Sequence, residues 1–145
     1  MNLVYRQATE IDIAAIRSLL ESQKLPTETV GTTLTEFYLA VENKIIAGVA
    51  GFEYYREDAL LRSVAVPTSL QKKQIGTQLV DWMLSMAKQK GIKRIVLLTE
   101  TASIFFAKKG FMAVDRSSIN NDLMKKSSQF GSCCCSLAIC MKLDL

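Results

Sequence analysis

The 145-residue chain has no histidine. That absence excludes Ser-His-Asp and Cys-His catalysis within one chain, an imidazole general base, and zinc sites built on histidine. Acid–base chemistry then falls to Asp, Glu, Lys, Tyr, Cys, a backbone group or a water chain. Proline is scarce, at two residues, and no apolar run approaches the roughly 20 residues of a membrane helix. There is also no basic-then-apolar leader, because Leu3 is followed at once by Arg6, Glu10 and Asp12. A soluble, cytoplasmic protein without a membrane partner is expected. No long block of one charge occurs either. The net charge of +4 is spread over short clusters at Lys72 and Lys73, at Lys88, Lys90, Lys93 and Arg94, at Lys108 and Lys109, and at Lys125 and Lys126. Such clusters read as a solvated surface, with no nucleic-acid partner, and suit a small anionic ligand at least as well.

What is present is an ordinary globular composition, 49% hydrophobic and 22% charged. One domain over residues 1–145 is expected, able to bury roughly two-thirds of its unfolded surface. Leu3 to Gln7 alternates as a strand. Thr9 and Asp12 make a capping-box-like start, and Ile13, Ile16, Leu19 and Leu20 recur at helical spacing up to Gln23. Pro26 to Thr33 is a loop of a length that often carries function. A meander follows: Phe37 to Val41, a turn at Asn43 and Lys44, Ile45 to Tyr55, a turn at Glu57 and Asp58, and Ala59 to Val66. Gly48 and Gly51 inside the second of these strands suggest a bulge or a close backbone approach. Ile75, Leu79, Met83 and Ala87 mark a helix that Gly91 ends. Arg94 to Thr99 is a buried-type strand, Ala102 to Lys109 a short helix closed by Gly110, and Phe111 to Val114 a strand. Ser118 to Lys126 reads as a further helix. Leu137, Ile139, Met141 and Leu143 then alternate with Ser136, Ala138, Cys140 and Lys142 as a half-buried strand. The order predicts a mixed α/β or α+β sheet.

The chemistry concentrates between Leu61 and Val80. A buried strand ends near Val66, a loop brings Lys72 and Lys73, and a helix begins near Gln74. Helix-start N–H groups and the positive end of the helix dipole attract anions, and Gly76 lets a ligand approach the backbone. The segment is neither a P-loop nor a dinucleotide fingerprint, since both glycine patterns are missing. The residues alone suggest a phosphate site.

Here the chain resembles the GCN5-related N-acetyltransferase (GNAT) superfamily, whose Q/R-x-x-G-x-G/A motif holds the coenzyme A pyrophosphate. Gln71-Lys72-Lys73-Gln74-Ile75-Gly76 matches at Gln71 and Gly76, with Gln74 where the first glycine is usual. The resemblance continues in Leu79-Val80, in Ile95 to Thr99, and in Phe105-Phe106-Ala107-Lys108-Lys109-Gly110-Phe111. It implies a mostly antiparallel sheet flanked by helices, with a strand splay between Val64–Val66 and Ile95–Thr99 that takes the pantetheine arm. It implies acetyl-CoA as cosubstrate, no metal, and direct attack by an amine. Coenzyme A would meet Val64, Ala65, Val66, Gln71, Lys72, Lys73, Gln74, Ile75, Gly76, Thr77, Thr99, Phe106 and Lys109. A backbone N–H near Ala65 or Val66 would stabilise the oxyanion. Leu60 to Val66 and the terminal Phe130, Cys134, Ala138, Cys140 and Met141 resemble, within the superfamily, the arsenic-resistance N-acetyltransferase group. The partner is then a small-molecule amine, and the protein a monomer or homodimer.

Two charged residues are catalytic candidates. Glu53 follows the two glycines and reads either as a solvent-facing strand residue or as the base that takes the ammonium proton; with no histidine, a carboxylate is the natural candidate. Asp12, Glu21 and Glu36 belong to a helix exterior or an early strand. Arg62, on the adjacent strand, either binds a substrate carboxylate or pairs with Glu53. Phe106 stands where many family members carry a Tyr whose hydroxyl protonates the departing thiolate, so that proton comes from elsewhere or from no side chain. Tyr54 and Tyr55 read as strand packing. Cys133, Cys134, Cys135 and Cys140 read as small buried residues in a reduced compartment, since strand alternation keeps three thiols from converging. Soft-metal or arsenite binding by these cysteines, and a non-catalytic coenzyme A-binding module, are the rival readings.

Overall fold

The computed structural model describes residues 2–127 and 138–145. Its seven strands stand in the order β1-β2-β3-β4-β5-β7-β6, where β1 is Val4–Gln7, β2 Glu36–Glu42, β3 Ile45–Tyr55, β4 Asp58–Ala65, β5 Arg94–Thr99, β6 Met112–Ala113 and β7 Ile139–Asp144. β1–β2, β2–β3, β5–β7 and β6–β7 pair antiparallel and β4–β5 parallel, as expected for a mixed α/β sheet of this kind. Contacts group the chain into two compact units, Met1–Glu53 with Leu61–Gln89, and Tyr54–Leu60 with Lys90–Leu145.

In the first unit, local chemistry sets the start of helix α1 (Ile13–Ser22). The Thr9 backbone N–H donates to Asp12 Oδ2 at 2.8 Å, and Arg6 grips the same carboxylate with two nitrogens at 2.8 and 3.0 Å. Asp12 is therefore buried, at 7% exposure, and not on a helix exterior. Ile16 and Leu20 turn inward and pack with Val30, Phe37, Leu39, Val49 and Ala65. Asn43 and Lys44 both take positive φ, as a two-residue hairpin turn between right-twisted strands requires. The register then steps from Val41↔Ile46 to Ala40↔Gly48, which leaves Ala47 as an extra residue on β3. The interior glycine thus sits beside a bulge.

Helix α2 (Ile75–Gln89) buries Ile75, Leu79, Val80, Met83 and Ala87. Its Trp82 ring stacks 5.6 Å from Tyr5 on β1 and lies 6.0 Å from Tyr38 on β2. A Cβ at Gly48 would come within 3.2 Å of Ile75 Cγ2, so the missing side chain lets the first turn of α2 seat closely on β3. The β3–β4 turn falls on Arg56 and Glu57 rather than Glu57 and Asp58, because Arg56 takes the left-handed conformation, φ +61°. The strand accordingly starts at Asp58 and ends one residue short of Val66.

In the second unit, the start of β4 runs parallel to β5 from Asp58↔Arg94 to Leu60↔Val96, and β7 pairs β5 from Arg94↔Asp144 to Thr99↔Ile139. Arg94 bonds Asp58 at 2.7 Å across that parallel start. Leu60, Val96, Leu98, Ile119, Met124 and Cys140 form the core, with Tyr55 packed against it as strand packing predicts. Helix α3 is Ser103–Ala107. The helix expected over Ser118–Lys126 is instead a 3-10 turn at Arg116–Ser118 and a single turn, α4, at Asp122–Lys125. The break has a cause: the Asn121 side chain accepts the Met124 N–H at 3.0 Å as an N-cap, and its own amide donates to Tyr55 O and Asp58 Oδ2. The expected alternation of the last strand also fails. Cys140 and Met141 are both buried, at 4% and 3%, while Ile139 is 40% exposed. β7 is paired on both edges, with β5 and β6, which puts its middle residues inside the sheet. Among the described residues no helix is long and apolar enough to cross a membrane.

Candidate functional site

The first unit assembles two features. One is the junction from β4 into α2. Gln71, Lys72, Lys73 and Gln74 are exposed, and Ile75 is buried as the anchor of the first turn. The first intrahelical bond runs from Gln78 N–H to Gln74 O at 3.0 Å, so the amides of Ile75 and Gly76 precede it, as amides at a helix start do. Lys72 and Gln74 both take the left-handed conformation, φ +67° and +63°. Gln74 thus adopts the shape that glycine supplies more cheaply, and the turn is made despite the substitution. The Gln71 side chain closes the loop by donating to Val66 O at 3.0 Å. A Cβ at Gly76 would meet only Val66 Cγ2, at 3.6 Å, which leaves room for a ligand over the helix start. Two lysines, glycine access and a 15-residue helix dipole suit a phosphate-bearing anion.

The other feature is a buried polar cluster. Arg62 on β4 and Glu53 on β3 are 3% and 2% exposed, and Arg62 Nη1 bonds Glu53 Oε2 at 2.5 Å. Glu53 is therefore not a solvent-facing residue. The Thr35 hydroxyl lies 3.3 Å from the same Glu53 oxygen and 2.9 Å from the Thr29 hydroxyl. Arg62 Nη2 bonds Glu28 Oε1 at 3.1 Å, and Nε faces Ser63 Oγ at 3.3 Å. Ser63 itself is left-handed, φ +60°, a non-glycine bend inside β4 just before Val64, Ala65 and Val66. Of the expected roles of Arg62, the pairing with Glu53 is present. Sequence reasoning singled out the Pro26–Thr33 loop but missed Glu28, Thr29, Thr35 and the bend at Ser63. Four threonines in that loop were the available signal, and nothing local linked Glu28 to a residue 34 positions away.

The remaining candidates lie in the second unit. Thr99 accepts the Ala102 N–H on its hydroxyl at 2.9 Å, which ties the end of β5 to the start of α3. Phe106 is buried and packs edge-on against Phe105 and Phe111, at 4.9 and 5.5 Å. Lys109 Nζ stands 5.2 Å above the Phe105 ring. Lys90 Nζ lies 5.3 Å from the centre of the Tyr54 ring. Cys140 is a free, buried thiol whose pKa burial pushes up, as suits a packing residue. Cys133, Cys134 and Cys135 fall outside the described residues. Among the described residues, no three His, Cys, Asp or Glu cluster as metal ligands would. An open depression of about 510 Å³ is lined by Arg6, Asp12, Lys44, Ile45 and Pro67 among others.

Solved structures of acetyltransferases share this fold. The N-acetylglutamate synthase of Neisseria gonorrhoeae, complexed with coenzyme A and N-acetyl-glutamate, superposes with a TM-score of 0.84 at 19% identity. All of this chain is covered, but only 35% of the synthase, so the chain spans about a third of that protein's length. Rv2747 of Mycobacterium tuberculosis, solved with CoA, gives 0.80 at 23% identity, covering 98% of this chain and 99% of that one. The ribosomal-protein-S18-alanine N-acetyltransferase of Escherichia coli gives 0.76 at 14% identity, covering 99% and 94%. These likenesses define the fold. The sequence matches the model of the acetyltransferase (GNAT) domain over residues 33–113. The chain belongs to that family of acyltransferases. No curated protein sequence matches it.

Proposed function

We propose that this chain, as one domain over residues 1–145, transfers the acetyl group of acetyl-CoA to the primary amine of a small molecule. The junction carries the reading: a left-handed loop with two exposed lysines opens onto an α2 start left accessible by Gly76. Gln71 to Thr77 hold the pyrophosphate there, and the backbone of Val64 and Val66 pairs with the pantetheine arm. The amine nitrogen attacks the thioester carbonyl. A C–N bond forms, the C–S bond breaks, and an N–H of Ala65 or Val66 stabilises the intermediate oxyanion. Glu53, directly or through water, receives the ammonium proton, and Arg62 holds it in place. Phe106 has no hydroxyl, so the second surplus proton of the attacking nitrogen passes through water to the departing thiolate. Candidate acceptors are amino-acid-like, arsenical or other toxic amines.

The test is thiol release from acetyl-CoA against a panel of primary amines, beside coenzyme A binding by melting shift. Binding with amine-dependent release is expected. Binding without release on any amine would favour a non-catalytic coenzyme A module, and absence of binding would refute both.

A further inference from the structure

The Arg62 cluster holds one carboxylate more than its charge needs. Glu53, buried and 2.5 Å away, already neutralises the guanidinium inside the unit. Glu28 adds a second carboxylate at 3.1 Å, from the loop of residues 23–35, and its side chain is 49% exposed. The two partners are not equivalent. Removing Glu53 would strand a buried cation. Withdrawing Glu28 would leave Arg62 paired with Glu53, and a half-exposed ion pair contributes little. Glu28 is thus by far the more exposed of these two partners of Arg62, in the manner of a replaceable carboxylate. A planar guanidinium with low-dielectric walls is a strong carboxylate site once Glu28 withdraws.

We infer that Arg62 receives the carboxylate of the acceptor in place of Glu28, so that the acceptor is an amine of the amino-acid class. The inference rests on the acetyl-transfer reading. The carboxylate of the ligand takes Nη2, its ammonium lies beside Glu53, and the hydroxyls of Thr29 and Thr35 line the same cluster. Glu28 competes with the ligand and limits its affinity.

The experiment follows thiol release from acetyl-CoA with the proteinogenic amino acids, each set beside its decarboxylated amine, such as phenylalanine beside phenethylamine. At least one amino acid is expected to exceed its decarboxylated partner tenfold or more in kcat/KM. In Glu28→Gln the KM of that amino acid should fall three- to tenfold, while the KM values for acetyl-CoA and for the decarboxylated amine move less than twofold. Equal or better use of the decarboxylated amines, turnover of no amino acid, or an unmoved amino-acid KM in folded Glu28→Gln overturns the inference. A melting shift with coenzyme A in the same protein keeps the transferase reading standing in those cases. Its absence removes both.

Discussion

Glu53→Gln separates holding from catalysis at the buried pair. The substitution keeps the shape and removes the charge, so Arg62, with its side chain 2% exposed, loses its buried partner. Breaking a buried pair from one side costs about 3–5 kcal/mol. Glu28 still faces Nη2, which puts the expected loss at the lower end, about 3 kcal/mol. At roughly 2–4 °C per kcal/mol for a chain of this size, the melting temperature falls by about 6–12 °C. Arg62→Met in the same chain removes the stranded cation, and the double variant should regain a large part of the loss. Urea denaturation of the four proteins completes the cycle. A loss below about 0.5 kcal/mol, or additive effects, would refute the argument that the two charges stabilise each other in the interior. Below the melting temperature, the same Glu53→Gln protein should lose about 10²–10⁴ in kcat at pH 7 and regain part of it at higher pH, where more amine is free. An unchanged kcat would leave Glu53 with only the holding of Arg62.

Two further expectations test the surroundings. Gln74→Gly should raise stability by roughly 0.5–1 kcal/mol, since φ +63° costs a side chain about 1–2 kcal/mol and glycine returns part of that as unfolded-state entropy; a lower urea midpoint would refute this. The Arg6 hydrogen bonds, opposed by burial and helped by the Thr9 N–H, hold the Asp12 carboxyl down from 3.8 to about 2. Its contribution is therefore present above about pH 4 and lost as the pH falls toward 2. That drop corresponds to about 2.4 kcal/mol, cut to about 1 kcal/mol because the Arg6 side chain is 42% exposed. The urea midpoint of Asp12→Asn should fall less than that of the wild type between pH 4 and 2.5, and parallel curves would refute the linkage.

The sequence made some elements plain and hid others for physical reasons. β3 and β5 appear at their observed bounds because apolar, β-branched runs between turn residues have few alternatives. The face of α2 was legible from i, i+4 spacing, and the capping box at Thr9 from two residues. The 118–126 region was misread because the competing bonds of Asn121 reach Tyr55 and Asp58, 66 and 63 residues away. Burial at β7 depends on neighbours on both edges, which no local alternation reports. At the site, Gln71, Gly76, Glu53 and Arg62 could be named from motif and strand position. The left-handed bend at Ser63 could not, because serine carries no sign of positive φ, and Glu28 was hidden by loop distance.

Coenzyme A affinity, measured by titration calorimetry on the wild type and on Gly76→Asp, tests the central claim most directly. A side chain at Gly76 meets only Val66 Cγ2 at 3.6 Å, so the variant has room to fold, and its carboxylate would face the pyrophosphate. The wild type should bind, with a stabilisation of about 2.7 kcal/mol at a hundredfold excess over the dissociation constant, and folded Gly76→Asp should lose most of that affinity. Equal affinity in the two proteins, or no binding to the wild type, would contradict the placement of coenzyme A at the start of α2.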